Sequence, residues 1–265
     1  MTAEEPRAIR FDDGAAYERG MGVWSGLVGE IFLDWLKPST GLRWVDVGCG
    51  NGAFTELLVD RCAPAGVEGV DPSEGQLTYA RTRPGIGGAH FQIGDAMALP
   101  FDAACFDAAV MALVIFFVPE PARGLAEMAR VVRPGGVISA YAWDVPGGGL
   151  PFQPIRAELA RRGIAVPLPP SADVSREEAL STLWTDGGLR RVETTVIRVR
   201  RTFADFDSFW SATMSVGGLG QLFSRIDAAE GADIKASVRG TLNMDASGQV
   251  TCSAKANAVR GYNPD

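Results

Sequence analysis

A single histidine, His90, stands among 265 residues, and only four cysteines occur, Cys49, Cys62, Cys105 and Cys252, none in a CxxC pair. Without clustered His and Cys ligands a zinc site is not expected, and no metal is assigned. A histidine-centred catalytic triad is excluded on the same ground. Cationic side chains are outnumbered, 25 Lys and Arg against 32 Asp and Glu, for a net charge of −7. That balance argues against nucleic acid or an anionic membrane as the main partner, since both reward clustered Lys and Arg. Long apolar runs are missing too. The longest, Ala108 to Val118, has eleven residues before Pro119, against the ~20 that a spanning helix needs. The opening MTAEEPRAIRFDDG has no apolar core of a secretory signal, so a reduced, cytoplasmic protein is expected.

What is present is a rhythm. From Arg43 to Trp143 short apolar runs alternate with longer amphipathic ones, as a parallel βα sheet requires. RWVDV (43–47), GVEGV (66–70), AHFQI (89–93), FDAAVMAL (106–113) and GVISAYAW (136–143) read as strands. Residues 53–62, 73–83 and 121–132 carry apolar residues at helical spacing, with Ser73 as an N-cap and RPGG (133–136) as a helix stop. Ahead of them, Tyr17 to Leu36 reads as an amphipathic helix with Met21, Trp24, Leu27, Val28, Ile31, Phe32 and Trp35 as its apolar positions. After Trp143 the rhythm stops. One short helical run is expected between 155 and 170, helices near 176–186 and 204–243, and strands near 191–200 and 248–261.

The most informative stretch is VDVGCGNGAF (45–54), a strand, a Gly-x-Gly-x-Gly turn and a helix start. Gly48 permits the turn, Gly50 lets a ligand approach the backbone, and Gly52 opens a helix whose first amides carry positive dipole. Counting Ala53, the turn also fits a dinucleotide fingerprint, so an NAD-linked oxidoreductase is a rival. Two acids favour another ligand. Asp71, 19 residues after Gly52, ends the second strand where a carboxylate can accept ribose hydroxyls. Asp46 stands two residues before Gly48, at the mouth of the turn, and no Lys or Arg occurs in 45–54 to neutralise phosphates. Like charge repels a pyrophosphate, whereas an ammonium or sulfonium is attracted. S-adenosylmethionine (SAM) is an adenosine ligand of that kind, without phosphate and with a cationic end.

VDVGCGNG, GVDPS, GDAMALPF (94–101), CFDAAVMALVIFFVPEP (105–121) and EMARVVRPGGVISAYAWD (127–144) occur in order. Together they resemble the class I SAM-dependent methyltransferases, type 11 group, which includes the quinone-biosynthesis C-methyltransferases. The resemblance implies a Rossmann-like α/β fold. Its seven-stranded sheet has order 3-2-1-4-5-7-6, the last strand antiparallel, helices on both faces and a helical lid. It also implies one domain over 1–265: a cofactor-covering helix at 14–36, a SAM-binding core at 43–144, and substrate-lid insertions at 145–190 and 204–243. Carried over, Gly48, Gly50 and Gly52 line the cofactor, Asp46 lies near its amino group, and Asp71 with Pro72 meets the ribose. Asp95 and Ala96 face the adenine, Leu113 lies beside the methionine portion, and Tyr17, Met21 and Trp24 cover the sulfonium.

Val23 stands where relatives often carry Arg, leaving Arg19 as a candidate partner for the cofactor carboxylate, and Val114 to Phe117 stand where many carry His. No catalytic residue is assigned, although Glu120 and Asp144 are the acids near the pocket mouth. Arg198, Arg200 and Arg201 read as a solvated strand edge. The implied activity is methyl transfer to a small apolar or aromatic acceptor, with SAM binding without transfer as a further alternative.

Overall fold

The computed structural model describes residues 18–215 and 218–264, apart from the Arg19 side chain. A π-helical turn, Glu18–Gly22, leads into α1, Val23–Leu36. Then follow β1 (Arg43–Val47), α2 (Ala53–Cys62), β2 (Gly66–Asp71), α3 (Glu74–Ala80), β3 (Ala89–Ile93), β4 (Phe106–Ala112), α4 (Pro121–Val131) and β5 (Val132–Trp143). The second half adds α5 (Gln153–Arg161), α6 (Glu177–Asp186), β6 (Arg190–Phe203), α7 (Phe206–Met214), α8 (Leu219–Phe223), α9 (Ala228–Thr241) and β7 (Val250–Tyr262). The seven strands form one sheet of order β3-β2-β1-β4-β5-β7-β6. All pairs among β1 to β5 are parallel, and β7 runs antiparallel to both β5 and β6. The order reverses at β1, between β2 and β4, and ligands of open α/β sheets bind beside such a reversal at the carboxyl ends of the strands.

Local signals act where expected. Ser73 caps α3, its Oγ accepting from the Gln76 amide at 3.4 Å, and Pro121 opens α4 with its fixed φ. RPGG does not separate a helix from a strand, which corrects the reading of a start at Gly136. The strand begins at Val132, and its register to β4 jumps from Phe106↔Val132 to Ala108↔Val137, so 133–136 form a bulge. Asn263, just past β7, ties the bulge down. Its side-chain amide donates to the carbonyls of Ala129 and Val132 at 2.8 and 2.7 Å, and Gly135 N donates to its carbonyl.

The amphipathic expectation for α1 needs a correction as well. Trp24, Val28 and Phe32 are buried, but Leu27 and Ile31 join Val23 as an exposed apolar stripe. Residues 145–190 are not all lid, either. Helix α6 packs on β6 and β7 as a layer of the sheet. Its Trp184 is fully buried and donates from Nε1 to the Ile138 carbonyl at 3.0 Å. Replacing Trp184 by Ala is expected to cost about 3–5 kcal/mol in denaturant unfolding, the range for emptying a buried aromatic site. A change below about 1 kcal/mol, with loss confined to turnover, would return this helix to the lid.

Candidate functional site

The glycine turn joins β1 to α2 above the carboxyl edge of the sheet. Gly48 has φ +75°, and a Cβ there would fall 2.5 Å from Val114 Cγ1, so neither a side chain nor a right-handed residue fits. Gly50 has φ +53°, yet nothing lies within 4 Å of where its Cβ would be. Backbone is therefore presented to open space, as close approach of a ligand requires. At Gly52 a Cβ would meet the Ala80 Cβ at 3.0 Å, which sets the distance between α2 and α3.

Two carboxylates lie at this turn in different states. Asp71 is half-buried, and its oxygens accept from Gly50 N and Ser73 N, both at 2.9 Å. Burial pushes its pKa up, against those two amide bonds. Each oxygen keeps further acceptor capacity toward the space above Gly50. Asp46 is wholly buried, so it lies beneath the turn rather than at its mouth. Its register partner in β4 is Val110, inside the sheet, and this corrects the expectation. Oδ2 accepts from Thr55 Oγ1 at 2.6 Å and Oδ1 has no partner among the described residues. Burial outweighs the Thr55 bond and, with the charge of Asp71 adding, raises the pKa of Asp46 to about 7.

The other residues expected at the site separate into two groups. Asp95 is exposed, accepts from Met97 N at 2.8 Å, and so caps its own turn, with Ala96 half-buried beside it and Pro72 exposed after β2. Leu113 is buried with φ +63°, an uncommon backbone for leucine, and donates to the Tyr141 carbonyl at 2.8 Å. Met21 and Trp24 are buried, and the Trp24 ring stands 6.5 Å from Phe203 of β6. Tyr17 lies outside the described residues, as does the Arg19 side chain.

Neither acid considered as a base is free. Asp144 is buried against Lys255 and accepts from Gly147 N at 3.0 Å, and exposed Glu120 pairs with Arg123 at 3.7 Å. Phe116 is core and His90 is exposed beside Glu68. No group of three His, Cys, Asp or Glu among the described residues could hold a metal ion.

One part of the site carried no sequence signal. Arg83, after α3, pairs with Glu18 of the π-helical turn and with Glu56 of α2 at 2.8 Å, and donates from Nε to the Asn51 carbonyl at 2.6 Å. Buried Asn51, inside the glycine turn, donates from Nδ2 to Glu18 Oε2 at 2.9 Å. This network fastens the N-terminal helix to the turn. Because its partners lie up to 65 residues apart, no local pattern announces it.

A family model described as a methyltransferase domain matches residues 45–140. The chain is 34% identical over 194 residues to the O-methyltransferase cnsE of Penicillium expansum, covering 71% of this chain and 66% of that protein. It is 43% identical over 108 residues to the chloroplastic 2-methyl-6-phytyl-1,4-hydroquinone methyltransferase 2 of Oryza sativa subsp. japonica, covering 39% and 31%. The chain thus spans between about a third and two thirds of the length of these curated relatives. Among solved structures, a geranyl diphosphate methyltransferase in complex with SAM superposes with a TM-score of 0.51 at 20% identity, covering 90% of this chain and 85% of that one.

The carboxyl of Asp46 keeps its proton in the fold up to about pH 7 but ionises near 4 once unfolded. Its contribution is therefore fully present below about pH 4 and is lost as the pH rises toward 7. Unfolding free energy of the ligand-free chain is expected to fall across that window, and Asp46→Asn to flatten most of the fall, leaving the part due to Asp71. An unchanged slope in the variant would remove Asp46 as its source.

Proposed function

We propose, from the premise that the chain belongs to the class I SAM-dependent methyltransferases, that it binds SAM above the glycine turn and methylates a small-molecule acceptor. The observation that carries this is the pairing of an unobstructed Gly50 backbone with the Asp71 carboxylate at the rim, in a turn with no Lys or Arg of its own and whose attached guanidinium, Arg83, is already paired with Glu18 and Glu56. A diphosphate would meet the Asp71 carboxylate there; a nucleoside bearing an ammonium and a sulfonium meets complementary charge. That electrostatic argument also sets the NAD-linked alternative aside.

Residues present fit the parts of SAM. Asp71 has acceptor capacity left for the ribose hydroxyls, with Pro72 beside it, and the free oxygen of Asp95 and the flank of Ala96 suit the adenine. Gly50 leaves room for the aminoacyl chain, with Leu113 beside it, while Gly48 and Gly52, packed on Val114 and Ala80, set the shape of the turn beneath. The partnerless Oδ1 of Asp46 supplies negative charge from below, and a cation in the crevice would draw that carboxyl back to its ionised form. Met21 and Trp24 shut water out from the N-terminal side. When bound, SAM supplies a methyl group already activated as a sulfonium. The chain then has to hold an acceptor in line and exclude water, and such positioning can supply ~7–11 kcal/mol in favourable cases. With Asp144 and Glu120 engaged elsewhere, the acceptor atom is one that needs no protein base.

Two of the proteins named above act, by their names, on small molecules, a phytyl hydroquinone and geranyl diphosphate, and for this chain a small apolar or aromatic acceptor is proposed, with no nucleic acid partner. Among the described residues no helix is long and apolar enough to cross a membrane, and a cytoplasmic location remains part of the proposal. So does the single-domain organisation, with the core at 43–144 and the lid drawn mainly from 145–170 and 204–243. Asp71→Ala is expected to weaken SAM and S-adenosylhomocysteine binding by roughly 1.5–3 kcal/mol, the range for losing hydrogen bonds to a charged group. Unchanged affinity in calorimetry would take Asp71 out of the site.

A further inference from the structure

Strand β6 is parallel to β1–β5 through two antiparallel pairings, so its carboxyl end lies at the same edge of the sheet as the glycine turn. The level of Trp143, where β5 stops, is reached in β6 at Ile197 by way of Ala256. Arg201 stands four residues further on, roughly 13 Å past that level at the strand rise. Along β6 the buried positions are Ile197, Val199 and Phe203, while Arg198, Arg200 and Thr202 are exposed. Arg201 shares the parity of the buried set. The run of arginines is thus a solvated edge at two positions only, and the third guanidinium is turned inward, correcting the sequence expectation.

That guanidinium lies 4.5 Å over the Phe203 ring, and burial lowers its pKa. Nη1 is cut off from solvent and has no acceptor among the described residues. The acids that follow in the chain are already used. Asp205 caps α7 through the Ser208 amide at 2.7 Å, and Asp207 pairs with Lys235 at 2.7 Å. A guanidinium nitrogen shut off from water without an acceptor costs stability, and an apolar side chain of similar volume would serve the packing better. Such costs collect at binding sites. The position suits one: Phe203 touches Trp24, and Trp24 lies six residues along a helical path from Glu18, which is bonded to the glycine turn. At the helical rise this path is roughly 9 Å.

We propose that Arg201 is a specificity-determining residue that holds a carboxylate on the methyl acceptor, remote from the methylated atom, with the acceptor's apolar body along Phe203. A planar two-oxygen acid matches the guanidinium fork and returns the missing acceptor to Nη1. The acid is a handle that fixes one end of the acceptor, while another atom of it receives the methyl group. The assignment rests on the methyltransferase reading for what the handle positions, and its test is separable from that reading.

Decanoate and 4-phenylbutanoate, their primary amides, and phenyl phosphate are titrated calorimetrically into the full chain, with and without S-adenosylhomocysteine. The acids are expected to bind at least tenfold more tightly than their amides. Arg201→Met should abolish that difference, Arg201→Lys should keep part of it, and S-adenosylhomocysteine affinity should stay within twofold in both. The thermal midpoint of Arg201→Met should equal or exceed that of the parent. Equal binding of acid and amide, no binding of any acid at millimolar concentration, or a preference that survives in Arg201→Met would overturn the proposal. So would tighter binding of phenyl phosphate than of the acids, or a midpoint several degrees lower in Arg201→Met, the mark of a structural role. Failure of the parent to bind S-adenosylhomocysteine would instead sink the methyltransferase reading, while the acid–amide comparison without it still decides this one.

Discussion

The hydrogen bond from the Gly50 amide to the Asp71 carboxylate is the constraint on which the site depends. It draws the end of β2 onto the turn after β1, fixes a left-handed glycine with open space above it, and leaves a carboxylate at the rim. Beneath it, a second acid is sealed into the sheet with one oxygen satisfied and one not. Burying a carboxyl there without a full set of partners is costly, and the fold tolerates it by keeping the proton on. The negative charge at the rim is therefore that of Asp71, with the Asp46 carboxyl beneath it as a reserve that a bound cation would ionise. That charge, rather than the glycine pattern, separates this turn from the phosphate-binding turns with similar spacing.

The rest of the molecule closes that crevice. The Glu18–Arg83–Asn51 network ties the start of the N-terminal helix to the glycine turn. On the far side, β6 and β7 continue past the end of β5 and carry the Trp24–Phe203–Phe209 ring contacts. Packing there is mainly aromatic, with Arg201 over Phe203 and Lys235 and Arg239 over Phe206. On the proposed reading, charges of opposite sign serve the two ligands, the Asp71 carboxylate for the nucleoside and the Arg201 guanidinium for the acceptor.

Much of this was legible in order along the chain, because βα units make mostly local use of their signals. Helix α2 runs over 53–62 as its periodicity indicates, and Ser73 caps where a serine before a helical run should. The sheet order came from the resemblance of the ordered motifs. The misreadings share one cause, contacts between residues far apart. Pro134 and the glycines after it punctuate like a helix stop, but Asn263 holds them as a bulge within β5. Arg201 looks like its neighbours until the register with β7 sets its parity, and Asp46 looks like a rim acid until β4 packs beside it. Leu27 and Ile31 obey helical spacing, yet the stripe that packs is narrower than the apolar stripe in the sequence.

The central claim is that this crevice selects a cationic nucleoside over a diphosphate. The most direct measurement is a competition at equilibrium between SAM and NADH for the purified chain, followed by NADH fluorescence and by calorimetry. The account predicts saturable, one-to-one binding of SAM and no displacement of it by a hundredfold excess of NADH. Tighter binding of NADH, or binding of neither, would contradict it.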